Sequence, residues 1–422
     1  MIARSFLRNC FRFAPRLFLV GFGMSAIALA DGSGGGSLRT TPAFLNDVEG
    51  SLVRAIVNLR ERGLKHAMLE IDGVLDRNPN FRLGHLVKGD MLMTRAGRPV
   101  AFASLSSTPA SVAPLQDEAR VRLARYLDAP RVADMPAPVV QLADSQTHAL
   151  VVDTQRSRLY VYANDLGRPR YVTDFYVSLG LNGAQKRSEG DQKTPVGVYR
   201  ITEKRAKLPD FYGAGAYPID YPNEWDKLNG RKGHGIWLHG TPSATYSRAP
   251  RATDGCIVLA NDDLDRLSRY VDVSRTPVVI VDSLQWREPT RWSNDRDEFL
   301  KAFATWKADW ESRDMERYFR HYATGFRAER GGTAGWRAQK RKVNAGKTWI
   351  KVGVEELSLF AYPGGHELMQ VTFAQDYRSN NLSNRTQKRQ YWIREEGRWR
   401  ILHEAVMNEP LSQPRTERIA QK

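Results

Sequence analysis

Cysteine is almost absent from this sequence, which has two cysteines, Cys10 and Cys256, in 422 residues. The sequence also lacks the paired cysteines and the His-Glu-x-x-His pattern of zinc sites, so we expect neither a metal nor another cofactor. The Gly-x-Ser-x-Gly motif of serine hydrolases is missing as well. These absences leave a rare thiol as the candidate nucleophile.

Long apolar runs are missing too, apart from a stretch at 17–30. That stretch is shorter than the about 20 residues of a membrane-spanning helix. It follows four arginines without any acidic residue, and it ends in Ala-Leu-Ala, a small-residue cleavage pattern. The pattern predicts a secretory signal peptide over 1–30, followed by a flexible linker, DGSGGGS, at 31–37. A retained membrane anchor is the alternative interpretation.

Removal of the predicted signal peptide would leave Cys256 as the single thiol, which excludes an internal disulfide. Loss of its four arginines would lower the formal charge of +16 to +12, an excess that suits an acidic partner such as an anionic polymer or a membrane surface. The mature chain would then lie in the periplasm or cell envelope of a bacterium, without an integral membrane span. We expect no nucleic-acid partner, because no helix-turn-helix, zinc-finger or RNP-like motif is present.

The region 38–130 has apolar residues at three- and four-residue spacing, which predicts helices. Six of its residues resemble the pattern of one tetratricopeptide-like helical pair: Gly63, Ala67, Leu75, Pro79, Gly84 and Leu86. A single unit of this kind cannot bury its apolar faces alone and needs neighbouring helices. We therefore interpret the region either as a structural helical cap or as a docking surface for a partner.

A proline-rich stretch at 129–146 separates these helices from short alternating runs that indicate strands. The segment HALVVDTQRSRLYVY predicts a hairpin, and residues 147–285 as a whole predict a mainly β domain. From 295 to 408, an aromatic-rich amphipathic helix precedes further strands and a hairpin that turns at Glu396-Gly397. The expected fold class is multidomain α+β: a helical region, a mainly β domain and an α+β cone.

The thiol of Cys256 follows Gly255 in the segment RATDGCIVLAN. A thiol attacks as its thiolate and needs a nearby base near neutral pH. His239 ends the apolar run of GIWLHG, and strand ends open onto loops in which catalytic groups collect. Gly255 would let backbone N–H groups turn towards a developing oxyanion. The sequence thus favours a catalytic Cys256–His239 pair, and a buried inert cysteine is the alternative.

These motifs resemble a known family. His239-Gly240, the segment TDGCIVL (253–259) and the upstream segment GLNGAQKRSEGDQKTPVGVYRI (180–201) are similar to the L,D-transpeptidase catalytic domain of the YkuD type. The resemblance implies that Cys256 is the nucleophile and that His239 is its base. It also implies that the Gly240 carbonyl holds the imidazole in its working tautomer.

The resemblance further implies that the amides of Gly255 and Cys256 help to form an oxyanion site, with Thr253 and Asp254 in the same substrate-binding neighbourhood. The family often has histidine at the position of Asp254 and arginine or asparagine at that of Val258. Asp254 adds negative charge beside a thiolate and disfavours its ionisation. Both departures concern the preference for acyl donor or acceptor.

The upstream segment contains the family's GD-x-x-TP-x-G pattern, formed by Gly190, Asp191, Thr194, Pro195 and Gly197. Proline and glycine fix backbone shape, so we interpret this loop as mainly architectural, with direct substrate contact as the alternative. His234, five residues before His239, is assigned to a loop and not to the catalytic set.

The activity implied by the resemblance is acyl transfer on peptidoglycan stem peptides. A cysteine attacks the carbonyl after the L-centre of a stem tetrapeptide, forms a thioester and releases D-alanine. Transfer of the acyl group to an amine of another stem gives a 3-3 cross-link, whereas transfer to water makes the enzyme an L,D-carboxypeptidase. A catalytically silent scaffold that binds the cell wall is the alternative from another class.

The last third, 295–408, resembles the NTF2-like cone fold through its tryptophan-rich helix and its closing hairpin. Together with the catalytic domain, it resembles a subgroup in which L,D-carboxypeptidase trimming and cell-shape control are known. A cone pocket can bind a glycan or a small ligand, and Trp336, Tyr391 and Trp392 would offer stacking faces. Packing of these rings in the core is the alternative.

Overall fold

The computed structural model describes residues 47–97, 112–127, 133–328, 332–364 and 367–407. The predicted signal peptide and linker, residues 1–37, lie outside these ranges. The described chain forms two compact units: residues 47–77 with 84–97 and 112–113, and residues 78–83 with the chain from 114 onward.

The first unit consists of helices, as the apolar spacing predicts. α1 (Val48–Glu61) begins after Asp47, whose carboxylate accepts a hydrogen bond from the Gly50 amide at 2.7 Å. Gly63, with φ +81°, separates α1 from α2 (Leu64–Arg77), which packs against it. The predicted helices are confirmed, but their tetratricopeptide-like pairing stays a prediction. The next helix along the chain is α3 (Arg82–Arg95).

The middle region is mainly β, as predicted. Its strands are β1 (Met135–Pro136), β2 (Val139–Gln141), β3 (His148–Asp153), β4 (Arg158–Asp165), β5 (Arg168–Tyr176), β6 (Leu179–Gly180), β7 (Gly197–Arg200), β8 (Ala216–Pro218), β9 (Trp237–His239), β10 (Arg251–Thr253), β11 (Ile257–Val258), β12 (Pro277–Val281) and β13 (Trp286–Arg287). The predicted hairpin is formed by β3 and β4. The five-stranded sheet of this region has the order β5-β4-β3-β12-β7, and its parallel pair, β3 and β12, is buried almost throughout.

Short helices surround this region: α4 (Ala113–Leu127), a 3₁₀ turn (Asp210–Tyr212), α5 (Glu224–Leu228) and α6 (Asn261–Ser268). α4 is tied to β5 by the buried ion pair Arg125–Asp174, with 2.6 Å between nitrogen and oxygen. α6 follows the cysteine segment and buries Leu264 and Leu267. The local sequence predicts this helix with Asn261 or Asp262 as its cap, but Ala260 precedes the helix and Asn261 is its first residue.

The C-terminal region combines helices with one curved sheet. Its elements are α7 (Pro289–Glu311), α8 (Met315–Arg320), β14 (Tyr322–Arg327), α9 (Gly332–Ala345), β15 (Ile350–Ala361), β16 (Leu368–Ser379), β17 (Leu382–Glu395) and β18 (Arg398–Met407). Phe299, Phe303 and Trp306 of α7 are buried against the sheet. The predicted turn at Glu396-Gly397 is confirmed, since both residues have the positive φ that a two-residue hairpin loop requires.

One strand is shared between the middle and C-terminal regions. The second sheet has the order β14-β18-β17-β16-β15-β2, so β2, which precedes the middle region in sequence, forms its edge. Leu359 of β15 lies opposite Gln141, and Phe360 lies opposite Val139. The indole of Trp292 also donates to the Val139 carbonyl at 3.0 Å. Residues 139–141 are therefore part of the C-terminal fold.

The three aromatic rings considered for ligand stacking lie in the core. Trp336 is 9% exposed, and Tyr391 and Trp392 are 0% exposed. Rings buried to this degree present no free face to a glycan, so the core interpretation is the one the structure supports. In the described part of the chain, no helix has both the length and the apolar character needed to cross a membrane.

Candidate active site

The strands β9 and β11 bring His239 and Cys256 to one place. They are parallel neighbours in the sheet β11-β9-β8, with Val258 opposite His239 and Ile257 opposite Leu238. Cys256 comes one residue before β11, and the alternation of side chains along a strand assigns it to the same face as Val258 and His239. Residues 240–256 therefore connect two neighbouring parallel strands and return the chain from His239 to Cys256.

The imidazole of His239 is held in one orientation. Its Nδ1 lies 2.8 Å from the Gly240 carbonyl oxygen. A carbonyl only accepts hydrogen bonds, so Nδ1 carries the proton and Nε2 has the free lone pair. The side chain is 1% exposed, and burial lowers its pKa to about 4, assisted by the charge of Arg248 and opposed by the bond to Gly240. His239 is therefore neutral at pH 7, the state that a general base needs.

Gly240 is confined by its surroundings. Its amide donates to the Tyr212 carbonyl at 3.0 Å. A Cβ at this position would overlap the side-chain oxygen of Asn261 and would lie 3.0 Å from the Ala214 nitrogen. Asn261, which the sequence assigned to a helix cap, instead accepts from the Ala214 amide and donates to the Thr241 carbonyl, both at 2.9 Å. Asn261 thus connects the backbone at Ala214 to the backbone at Thr241, two residues after His239.

The thiol of Cys256 is partly exposed and lies 3.4 Å from the Gly235 carbonyl oxygen. Burial of its surroundings raises its pKa above the usual value, and the charge of Asp254 raises it further. The backbone amide of Trp237 and the cations of Arg248 and Lys186 oppose this shift. The directions of these two shifts favour a neutral thiol and a neutral imidazole near pH 7 over a preformed ion pair.

The residues before the cysteine form a tight turn. The hydroxyl of Thr253 accepts from the Gly255 amide at 3.1 Å and donates to the Cys256 carbonyl at 2.7 Å. The Gly255 amide is thus engaged, and it can serve an oxyanion only by giving up this bond. The exposed Asp254 accepts from the Gln192 amide group at 2.8 Å. The substrate-binding roles of Thr253, Asp254 and Gly255 remain predictions.

Gly255 occupies a position that only glycine tolerates. Its φ is +122°, and a Cβ would lie 2.6 Å from the Lys193 carbonyl oxygen. The carbonyl of Gly255 accepts from the Thr194 hydroxyl at 3.1 Å, and the same hydroxyl accepts from the Gly180 amide at 3.0 Å. Thr194, which is 0% exposed, therefore connects the upstream motif to the turn that carries the thiol.

The rest of the upstream motif is also held by its own hydrogen bonds. The carboxylate of Asp191 accepts from the backbone amides of Arg187, Ser188 and Lys193 and from the ammonium of Lys186. Although burial opposes ionisation, these bonds lower the pKa of Asp191 to about 2. These contacts agree with the interpretation of the loop as architectural.

We expect Thr194→Val to destabilise the protein by about 2 kcal/mol, because the isosteric change leaves a buried amide and a buried carbonyl without their hydroxyl partner. Thr194→Ser keeps the hydroxyl and is the matched control. Denaturant unfolding measures the first effect, and the alkylation rate of Cys256 reports on the turn. Equal stability of the valine and serine variants would contradict this role for the hydroxyl.

Three residues near the site were missed by the sequence analysis. The rings of Phe211 and Tyr212 lie 5.8 Å and 5.2 Å from the imidazole of His239, measured between ring centroids. The guanidinium of Arg248 lies 4.9 Å from the centroid of Phe211. A cation in the short loop between the two candidate catalytic residues was the available signal for Arg248, whereas nothing local marks the two rings. Among the described residues, no group of three or more potential ligand side chains is placed to hold a metal ion.

The model of the L,D-transpeptidase catalytic domain, YkuD, matches residues 147–280. This segment is similar to the catalytic domains of that family. The model of the Cds6 C-terminal NTF2-like domain matches residues 298–405. Both predicted resemblances and the multidomain α+β fold class are thereby confirmed, whereas the roles of single residues in the transpeptidase domain stay predictions.

Two relatives with solved structures each match about two thirds of this chain. Bd1075 of Bdellovibrio bacteriovorus is 25% identical, with a TM-score of 0.58, and the match covers 67% of this chain and 100% of Bd1075. Pgp2 of Campylobacter jejuni, described as a helical cell shape determining protein, is 26% identical, with a TM-score of 0.56, over 65% of this chain and 96% of Pgp2.

A curated relative matches about a third of this chain. YafK of Escherichia coli (strain K12), which bears an L,D-transpeptidase name, is 26% identical over 134 residues, or 31% of this chain. The match spans about half the length of YafK, namely 49%. This similarity agrees with the match of residues 147–280 to the L,D-transpeptidase model.

Proposed function

We propose that this chain is an exported acyltransferase of peptidoglycan that uses Cys256 as its nucleophile and acts as an L,D-transpeptidase. The observation that carries the proposal is the pairing of β9 with β11, which presents His239 with a free Nε2 lone pair on the face assigned to Cys256. The transpeptidase-domain match supplies the substrate class, the stem peptides. The predicted signal peptide supports action in the periplasm or cell envelope.

In the first half-reaction, the thiol of Cys256 attacks the carbonyl carbon after the L-centre of a stem tetrapeptide. As the S–C bond forms, the thiol proton moves to Nε2 of His239, which is neutral before attack. The tetrahedral intermediate collapses when the C–N bond breaks and the imidazolium gives its proton to the departing amine of D-alanine. A thioester and neutral His239 remain.

In the second half-reaction, an amine of another stem attacks the thioester. His239 accepts a proton from this amine, the S–C bond breaks, and the proton returns to the sulfur of Cys256. The product is a 3-3 cross-link. If water takes the place of the amine, the same steps give a tripeptide stem, which is the L,D-carboxypeptidase alternative.

The Gly240 carbonyl has a defined part in both half-reactions. It accepts the Nδ1 proton at 2.8 Å, so it orients the ring and stabilises the positive charge that appears on the imidazole. The low pKa of His239, about 4, makes that charge short-lived, which favours prompt donation to the leaving amine.

Incubation of the full chain with purified disaccharide tetrapeptides, followed by mass spectrometry, tests the proposal. We expect release of D-alanine together with 3-3 linked dimers, and no products from protein whose thiol has been alkylated beforehand. Tripeptides without dimers would replace transpeptidation by the carboxypeptidase alternative. If the muropeptides stay unchanged and the protein nevertheless binds peptidoglycan, the result would favour the scaffold alternative.

A further inference from the structure

The loop at 241–250, between β9 and β10, is fixed in place by contacts along its length, and we call it the bridging loop. Tyr246 packs on Phe81, with 4.6 Å between ring centroids. The hydroxyl of Ser247 donates to the carboxylate of the buried Glu118 at 2.7 Å. Glu118 also accepts from Arg122. The middle of the bridging loop is therefore anchored to α4 and to the segment before α3.

The following residues of the bridging loop are held through their carbonyl groups. The Tyr176 hydroxyl donates to the Arg248 carbonyl at 2.8 Å, and the Ser178 hydroxyl donates to the Ala249 carbonyl at 2.5 Å. The Leu179 amide donates to the carbonyl of the next residue, Pro250, at 2.9 Å. The backbone of Arg248 is thus positioned before any substrate arrives.

The side chain of Arg248 has a different character from its backbone. Its guanidinium lies over the exposed ring of Phe211, which in turn lies beside the imidazole of His239. Within the described residues, no ion pair or hydrogen bond holds this guanidinium. Burial lowers the pKa of Arg248, and the charge of an ionised Cys256 and that of Asp254 oppose that shift. A cation therefore faces the reacting groups and keeps its hydrogen-bonding capacity for a ligand.

The proposed acyl donor has a group of matching chemistry at a short distance. In a tetrapeptide stem, the free carboxylate belongs to the D-alanine that departs, so its carbon lies three bonds from the attacked carbonyl carbon. Standard bond lengths limit this separation to about 4 Å. The attacking sulfur approaches that carbonyl carbon to about 3–3.5 Å. The carboxylate must therefore lie within about 7 Å of Cys256, and guanidinium is the side chain best shaped to bind it.

We propose that Arg248 is the receptor for the terminal carboxylate of the acyl donor, and that it restricts the enzyme to stems that end one residue after the attacked carbonyl. This inference rests on the proposed function. A stem with one further residue would place its carboxylate about 3.5 Å farther from the attacked carbonyl, so binding of that carboxylate to Arg248 would no longer bring the carbonyl to the thiol of Cys256.

Two substrates that differ only at the C-terminus test the proposal: a disaccharide tetrapeptide with a free carboxylate and the same compound with a carboxamide. We expect the wild type to prefer the carboxylate in kcat/KM by about 10- to 100-fold, mainly through KM. Arg248→Gln should reduce the preference to less than about 3-fold, and Arg248→Lys should restore part of it. Arg251→Gln removes an exposed arginine of the same stretch and should keep the wild-type preference. A preference unchanged in Arg248→Gln would overturn the proposal.

A second measurement needs no turnover. Cys256 is alkylated with iodoacetate, an anion, and with iodoacetamide, its neutral analogue. The rate with iodoacetate divided by the rate with iodoacetamide should fall by about 5- to 10-fold in Arg248→Gln, because the cation that attracts the anionic reagent is lost. The same ratio should stay constant in Arg251→Gln. A constant ratio in Arg248→Gln would show that this cation does not act on the thiol. If the ratio falls in Arg248→Gln but the wild type releases no D-alanine, the anion site is supported and the proposed function is contradicted.

Discussion

Replacement of Cys256 by alanine is expected to abolish D-alanine release from tetrapeptide stems, with kcat/KM falling by at least about 10³-fold. The reason is chemical, because no other cysteine lies in the described residues, so the variant has no sulfur to form the thioester. The fold should change little, because the side chain of Cys256 is partly exposed and the variant keeps the backbone carbonyl of residue 256, which accepts from the Thr253 hydroxyl. Chromatographic measurement of released D-alanine is the assay.

Two controls separate lost chemistry from lost structure in this variant. The thermal unfolding midpoint of Cys256→Ala should stay within a few degrees of the wild type. Cys256→Ser should be nearly as inactive as the alanine variant, because a hydroxyl has a far higher pKa than a thiol and His239 is supported by the Gly240 carbonyl and not by a carboxylate. Continued release of D-alanine by a well-folded Cys256→Ala protein would remove the thiol from the mechanism.

Replacement of His239 by glutamine is expected to lower kcat/KM by about 10²- to 10⁴-fold, the range of a lost general base. Glutamine can still donate a hydrogen bond towards the Gly240 carbonyl. The substitution therefore removes the basic ring nitrogen and keeps much of the hydrogen bonding of this side chain. His234→Gln is the matched control, since His234 is exposed and its nearest partner is Glu189 at 3.6 Å. Equal losses in the two variants would contradict the assignment of His239 as the base.

The pH profile gives a second, independent signature of His239. Its pKa of about 4 places the acid limb of kcat/KM near that value, so the wild type should keep its activity from pH 7 to about pH 5. Residual activity of His239→Gln should rise with pH, because the raised pKa of the Cys256 thiol then controls the nucleophile. An acid limb near pH 6.5 in the wild type would show that the imidazole is not buried as described.

The free energy of unfolding should also depend on pH through the titration of His239. The folded pKa of His239 lies below the value of about 6.5 in the unfolded chain, so the unfolded state binds the proton more tightly. As pH falls from about 6.5 towards 4, the wild type should therefore lose stability relative to His239→Gln. Above about pH 6.5, the difference between the two proteins should be constant.

Most helices and turns of the fold could be predicted from local residue patterns. The spacing of Phe299, Phe303 and Trp306 predicted α7 because one helix face has to be buried, and all three residues are buried. Glu396-Gly397 predicted a hairpin because a two-residue loop needs positive φ, and both residues have it. Signals of this kind depend on a few neighbouring residues, so they can be read without the tertiary structure.

Contacts between distant segments escaped the sequence analysis for the opposite reason. Asn261 has the composition of a helix cap, yet its side chain binds Ala214 and Thr241, which no local pattern announces. The oxyanion role of the Gly255 amide stays a prediction, and nothing in the sequence indicated that this amide also donates to the Thr253 hydroxyl. Arg248 reaches the reacting groups only because α4 and β5 anchor its loop. Such arrangements are decided by tertiary packing, and sequence spacing does not encode them directly.

The strand shared between the two regions limits how this protein can be divided or inherited. A fragment that carried only residues 298–405 would lose the edge strand β2 and the contact of Trp292 with Val139, and would expose the backbone of β15 to other chains. Recombination between relatives at the apparent domain border would create the same defect. Selection should therefore favour exchange of the stretch from β1 to β18 as one piece, so that both halves evolve under a common constraint.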